Sequence, residues 1–196
     1  MDDANARRRS TRGWRAAALG MMVVLAGCSN DSPPRAEAAA TAPVGWTTAT
    51  SVGRDLRLIL PASLVVFEDS GAIFANEVRP GGEQALQLMA EGPRTAEPQP
   101  RSGEDARVWL ERKIGAPAQG DPVIHSVDLP VGPALVLERT DRAGTATAWR
   151  IAAYAITTDF GVAFLMIDGP PASWVGWDDD VRRIPLLLQV GPGAGP

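Results

Sequence analysis

Thiol and imidazole chemistry are each available to this sequence at one position. Cys28 is the only cysteine and His125 the only histidine among 196 residues. A single cysteine excludes an intramolecular disulfide and any site with several cysteine ligands, and a Ser-His-Asp or Cys-His triad would have to use His125. Because His125 alternates with Val123, Val127 and Leu129 as in a half-buried strand, we interpret it as a sheet histidine rather than a catalytic base.

Carboxylates offer a second kind of chemistry. Asp178, Asp179 and Asp180 are consecutive and follow Asp168, and Ca²⁺ prefers such oxygen ligands. The spacing of a calcium-binding loop is absent, however, and acids at a helix start are explained by the helix dipole, so we predict no metal. One alternative stays open, an envelope enzyme acting on glycan. It would use carboxylates such as Glu77, Asp168 and Asp178, and needs two of them about 5–9.5 Å apart across a cleft.

Tryptophan is frequent, with six residues against one tyrosine. Trp174 and Trp177 are three apart, next to Pro170-Pro171 and ahead of the three aspartates. They are candidates for a hydrophobic staple of a final helix. Alternatively, they line a groove for an apolar ligand, a sugar or a protein partner. Phosphate-binding glycine motifs and the nucleophile elbow are absent, so we predict no cofactor and no catalytic residue.

The N-terminus has the three parts of an export signal. Five arginines between Arg7 and Arg15 precede an apolar run from Ala16 to Gly27, which is shorter than the ~20 residues of a membrane-spanning helix. The run ends in Leu25-Ala-Gly-Cys28, which looks like a bacterial lipobox. We therefore predict a lipoprotein signal peptide at residues 1–27 and lipidation of Cys28. Two acyl chains would anchor the protein stably.

The charge balance argues against nucleic-acid binding. The chain has 19 basic and 23 acidic residues, and removing residues 1–27 takes away five arginines and two aspartates. The remainder has 14 basic and 21 acidic residues, a net charge of −7. Nucleic-acid affinity depends on neutralising phosphates, so we exclude this partner. The folded part also has little reason to lie on an anionic membrane surface.

The chain after the signal peptide divides into three parts. Residues 28–49 are rich in Pro, Ser and Ala and are predicted to be a disordered tether. Residues 50–190 form one domain, and residues 191–196 a disordered tail. In the domain, alternating patterns bounded by turn residues predict strands. They lie at 56–60, 72–78, 85–90, 123–129, 134–140, 148–157 and 162–167.

Two helices are predicted among these strands. The first begins at Ser102, a favourable N-cap, and ends at Gly115, with Ala106, Trp109, Leu110 and Ile114 on one face. The second runs from Ser173 or Asp178 to Val190, with a kink or restart at Pro185. Runs of strands interrupted by one helix and closed by another indicate an α+β class, with a mostly antiparallel sheet flanked by helices.

This order resembles the PsbP-like α/β/α-sandwich superfamily, which includes small bacterial lipoproteins, many from actinobacteria. The resemblance covers about residues 50–190. It rests on Leu60-Pro61, the helix at 102–114, two hairpins across 123–167 and a C-terminal helix ending in Leu186–Val190. It implies helices on the faces of a central antiparallel sheet. It also implies binding or accessory activity rather than catalysis, and it transfers no functional residue.

The sequence therefore predicts a non-enzymatic binding or accessory protein of the bacterial cell envelope. Its ligand would be a lipid, a glycan or a protein. It would be exported and anchored through Cys28 to the outer face of the cell membrane, or to an outer membrane if the host has one. A structural spacer or protein-interaction module remains an alternative, as does the carboxylate enzyme.

Overall fold

A computed structural model describes residues 42–51, 53, 55–81, 84–93, 100, 102–115 and 122–191. The signal peptide, Cys28, most of the predicted tether and residues 192–196 lie outside the described residues. The predictions for those segments therefore stay predictions. Within the described ranges, no helix is long and apolar enough to cross a membrane.

Ten strands make up most of the domain. In chain order they are β1 Trp46–Ser51, β2 Leu56–Pro61, β3 Val65–Asp69, β4 Ala72–Val78, β5 Gln84–Glu91, β6 Val123–Leu129, β7 Gly132–Asp141, β8 Trp149–Thr158, β9 Gly161–Gly169 and β10 Leu188–Val190. Seven of them form one sheet in the order β3-β4-β5-β9-β8-β7-β6, with every neighbouring pair antiparallel. The α+β class with a mostly antiparallel sheet is therefore confirmed.

Helix α1, Gly103–Ile114, packs on one face of this sheet. The Ser102 side chain accepts a hydrogen bond from the backbone N–H of Asp105, and Gly115 ends the helix with φ 79°, as predicted. Trp109 and Leu110 are its buried residues. They pack with Leu137, Ile151, Ala153, Ala155, Val162 and Phe164 of strands β7, β8 and β9. The helix therefore covers one part of the face.

The opposite face is covered by the rest of the chain. A second sheet, in the order β1-β2-β10, packs there through Leu56, Leu58, Leu60 and Leu188. The C-terminal segments contribute Trp174, Val181 and Ile184 to the same cluster. Helices therefore pack on both faces of the larger sheet, and the three-stranded sheet also packs on the second face.

The predicted C-terminal helix is confirmed in its start at Asp178 and its interruption near Pro185, but its extension to Val190 is wrong. The segment divides into α2 Pro171–Trp174, α3 Asp178–Arg183 and a 3₁₀ turn at Ile184–Leu187. Pro185 lies at the start of the 3₁₀ turn, where its missing N–H costs least. The last three residues pair with β2 as strand β10, so tertiary pairing overrides the local helical pattern.

Two further strands were missed, and the domain begins earlier than predicted. Residues 46–49 were assigned to the tether, but Trp46–Ser51 pairs with β2 along its whole length as β1. The domain therefore starts at least four residues before Thr50. β3 is also absent from the prediction. It is an edge strand with little burial, so it lacks the alternation that marks a half-buried strand.

Candidate binding face

Among the described residues, the α1 cluster takes no side chain from β3 or β4 of the large sheet. In an antiparallel sheet, directly opposed residues point to the same side. The register therefore places one row of side chains across all seven strands: Phe67, Phe74, Met89, Met166, Ala153, Leu137 and Ile124. The inner end of this row, at Ala153, Leu137 and Ile124, packs in the α1 cluster. The outer end, at Phe67, is exposed to solvent.

The outer end is apolar and aromatic. The rings of Phe67 and Phe74 stack with centroids 5.2 Å apart and planes 9° from parallel. Phe67 is 48% exposed, and Val65 at the same edge is 56% exposed. Met89 and Met166 are partly buried. We call the group formed by Phe67, Phe74, Met89, Met166, Asn76 and Gln87 the open face.

Asp168 lies at the inner margin of the open face. It is directly opposite Gln87 of β5 on one side and Ile151 of β8 on the other. Trp149 Nε1 donates a 2.7 Å hydrogen bond to Asp168 Oδ2, whereas the buried Oδ1 has no hydrogen-bond partner. Burial raises the pKa of the Asp168 carboxyl, and the bond from Trp149 opposes that rise.

A neighbouring ion pair fixes the end of α1. Arg139 donates to the carbonyl oxygens of Gly115 at 2.7 Å and Ile114 at 3.2 Å, and its Nε lies 3.0 Å from Asp141 Oδ1. A guanidinium at the C-terminus of a helix satisfies terminal carbonyls and the helix dipole. Arg139 is therefore fully engaged in holding α1 on the sheet.

The three carboxylates of the enzyme alternative do not converge. Asp168 lies on the α1 side of the sheet. Glu77 accepts a hydrogen bond from Trp177, which packs against the cluster on the opposite face. Glu77 also lies 3.5 Å from Arg79. Asp178 is the first residue of α3, and its Oδ1 lies 4.0 Å from Nη1 of Arg150. Asp168 is therefore separated by the sheet from Glu77, and the described part of the chain has no group of three potential metal ligands.

Trp174 and Trp177 have different surroundings. Trp174 is 3% exposed and belongs to the main core cluster, with the Arg150 guanidinium 4.3 Å from its ring centroid. Trp177 is partly buried and donates from Nε1 to Glu77 Oε2 at 3.1 Å. Neither ring is fully exposed, and together they tie the C-terminal segment to the sheet.

Two further features are less suited to a site. His125 is exposed on edge strand β6. A groove of about 310 Å³ opens beside the start of α1, and its lining includes Ala106, Ser126, Leu135 and Thr157. None of its described lining residues is charged. Those residues offer space but no combination of groups for catalysis.

The open face is the feature that sequence reasoning missed. Asp168 was named for its carboxylate, but Phe67, Phe74, Met89 and Met166 were not named at all. One local signal was available, because Ser70-Gly71 is a typical two-residue hairpin turn. Both residues have positive φ, 52° and 79°. The pairing that completes the face joins distant strands, and no local signal reports it.

We expect Trp174→Ala to lower the free energy of unfolding by about 3–5 kcal/mol, as large aromatic truncations in cores do. Trp177→Phe keeps most of the ring and loses one hydrogen bond to a partly exposed carboxylate, which costs about 1 kcal/mol. Urea unfolding of both variants measures the difference. A Trp174→Ala protein as stable as the parent would contradict the core assignment and restore a recognition role.

We expect Asp168→Asn to raise the melting temperature at pH 7 by about 2 °C or more, because a neutral amide is less costly to bury than a carboxylate. The pKa of Asp168 is raised in the folded state, so its stability cost is absent below the ordinary pKa of 3.8 and complete above the raised value. The gain should therefore shrink as the pH falls to about 3. Circular dichroism melts across this range decide the point. A gain that grows on acidification would contradict this account.

Comparison with known proteins identifies the fold. No family model and no curated protein matches the chain. A protein from Bacteroides thetaiotaomicron VPI-5482 is similar in structure with a TM-score of 0.52 and 11% identity, over 76% of this chain and 50% of its own. This chain thus spans half of that protein. The cyanobacterial PsbP protein (CyanoP) of Synechocystis sp. PCC 6803 is similar in structure with a TM-score of 0.51 and 10% identity, over 81% of this chain and 99% of its own. The predicted PsbP-like fold is therefore confirmed.

Proposed function

We propose that this chain is a lipid-anchored, extracytoplasmic accessory protein that binds a protein partner in the cell envelope through the open face. The observation that carries the proposal is the exposed aromatic and apolar end of the row that crosses the sheet. Solitary exposed apolar residues need no explanation, whereas a contiguous patch marks an interaction site. The lipobox at Leu25–Cys28 supports the anchor.

A protein suits this face better than a lipid or a glycan. The patch adjoins β3, an edge strand of the sheet. An edge strand presents unpaired backbone N–H and C=O groups in extended geometry, which an added strand can satisfy. Its side chains would continue the row beyond Phe67. A lipid chain would cover the apolar side chains but leave those backbone groups to water.

Binding without catalysis is also consistent with the arrangement of charged groups. Glu77 and Asp168 lie on opposite faces of the sheet. Hydrolysis of a glycoside needs two carboxyl groups facing one bond. The PsbP-like resemblance, which implies accessory proteins, points the same way. We therefore favour partner binding over the carboxylate enzyme.

We expect Cys28→Ala to abolish lipid labelling and to move the protein out of the detergent phase, because the thiol is the only group available for acylation at the lipobox. Metabolic labelling with a fatty-acid analogue, followed by detergent-phase partitioning, measures both effects. Ser29→Ala is the matched control and should leave both unchanged. Equal labelling of the Cys28→Ala protein would refute the anchor.

We expect a photo-crosslinking amino acid at position 67 to form one discrete adduct with a protein of the cell envelope. The same amino acid at position 160 is the control, because Phe160 is 54% exposed but lies in the β8–β9 loop, away from the open face. Phe74→Ser should reduce the adduct at position 67 at least fivefold, because it removes the stacked ring and leaves a polar patch. Mass spectrometry identifies what is crosslinked.

The outcome that contradicts docking is specific. Equal adduct yields at positions 67 and 160 would show that exposure alone governs crosslinking. An adduct with a glycan, a lipid or a second copy of the chain would replace the proposed partner by another. Thermal unfolding of the Phe74→Ser protein checks that any loss of adduct is not a loss of fold.

A further inference from the structure

Asp168 presents an unused acceptor beside the open face. Its side chain is 9% exposed, and Oδ1 is buried without a hydrogen-bond partner. A carboxylate oxygen buried in this way is costly unless a donor reaches it. The indole N–H of Trp149 donates a hydrogen bond to the other oxygen, Oδ2.

Nearby basic residues in the described part of the chain are engaged elsewhere. Arg139 binds Asp141 and the carbonyl oxygens at the end of α1. Lys113 pairs with Glu91 at 3.1 Å, and Arg150 lies over Trp174 of the opposite cluster. Among the residues that the structure describes, no basic side chain pairs with Asp168.

Two carboxyl groups lie on the same side of the sheet as Asp168, four residues along the strands from it, and its neighbours on the open face are adaptable. The register places Asp69, Glu91 and Asp168 on this side of strands β3, β5 and β9, and Lys113 of α1 is the cation paired with Glu91. Gln87 lies directly opposite Asp168, Met166 is two residues before it on β9, and both unbranched side chains are partly exposed. Such side chains can move aside at low cost. Their movement would open a path from the open face to Asp168.

We infer that Asp168 is the specificity residue of the open face and receives the guanidinium or ammonium group of a basic side chain from the docked protein segment. This inference rests on the proposed docking function and names the chemistry of the partner. A charge-assisted hydrogen bond satisfies Oδ1, and the neighbouring Trp149 ring can attract the same cation through its π face. The partner is thus an extended segment with apolar side chains and at least one Arg or Lys.

The Trp149 indole N–H reports on this site because it bonds the same carboxyl group. The sample is the full-length, ¹⁵N-tryptophan-labelled chain purified in detergent. We expect Nα-acetylarginine amide to shift the Trp149 indole resonance, with a Kd on the order of millimolar, as for a single contact. The citrulline analogue, which has the same shape without charge, should leave the resonance in place. Trp149→Phe assigns the signal.

Asp168→Asn should weaken arginine-amide binding at least tenfold, whereas Asp69→Asn, a carboxyl change on the same side of the sheet, should change it less than twofold. The melting temperature of Asp168→Asn shows that the variant is folded. A Trp149 resonance that does not move with arginine amide overturns the inference. So does an equal response to citrulline amide or an unchanged affinity in Asp168→Asn.

Failure of this inference differs from failure of the docking function. If position 67 crosslinks a protein while arginine amide leaves Trp149 unmoved, docking stands and Asp168 does not recognise a cation. If arginine amide binds through Asp168 but positions 67 and 160 crosslink equally, the cation site stands and the docking proposal fails.

Discussion

The pairing of β5 with β9 is the interaction on which the rest of the structure depends. β5 ends the first run of strands and β9 ends the second, and five residue pairs from Gln87–Asp168 to Glu91–Phe164 join them. Without this pairing, β3-β4-β5 and β6-β7-β8-β9 would be two separate antiparallel sheets. The row of side chains from Phe67 to Ile124 exists only because β5 pairs with β9. The pairing also sets Gln87 beside Asp168.

The dimensions of the sheet explain why one face is incompletely covered. Seven strands at about 4.8 Å spacing span about 29 Å, whereas a helix is about 10 Å wide and α1, with twelve residues, about 18 Å long. A single helix can cover only part of such a face. α1 covers β7, β8 and β9, where Trp109 and Leu110 bury Phe164 and Leu137. In the described part of the chain, β3 and β4 therefore contribute nothing to the α1 cluster, while the opposite face has a second sheet to cover it.

Much of the fold could be predicted because its signals are local. Ser102 with Glu104 and Asp105 marks the start of α1, and Gly161, with φ 123°, marks the β8–β9 turn. Three elements had no local signal. β1 and β3 are edge strands of their sheets, with two of six and four of five residues exposed. β10 is three residues that become a strand only by pairing with β2. Their conformation depends on partners that are distant in sequence.

The candidate site was predictable only in part, for the same reason. The carboxyl group of Asp168 is visible in the sequence, but its missing partner is a property of the assembled sheet. The six residues of the open face come from β3, β4, β5 and β9, and no spacing along the chain relates the first three strands to the last. Alternation predicts which side chains of one strand share a side. It does not predict which strands lie next to one another.

The edge at β3 is also protected against the wrong partner. Glu68 and Asp69 end the strand, and Ser51 lies within 3.2 Å of Glu68 Oε1 and 2.8 Å of the Gly71 carbonyl oxygen. These contacts hold the β3–β4 hairpin to the smaller sheet. Charged residues on an edge strand disfavour pairing between copies of one protein, and a net charge of −7 after residue 27 adds repulsion between two molecules. In the proposed docking, the same charges would attract a basic segment, so one set of acids would both disfavour self-association and favour the partner.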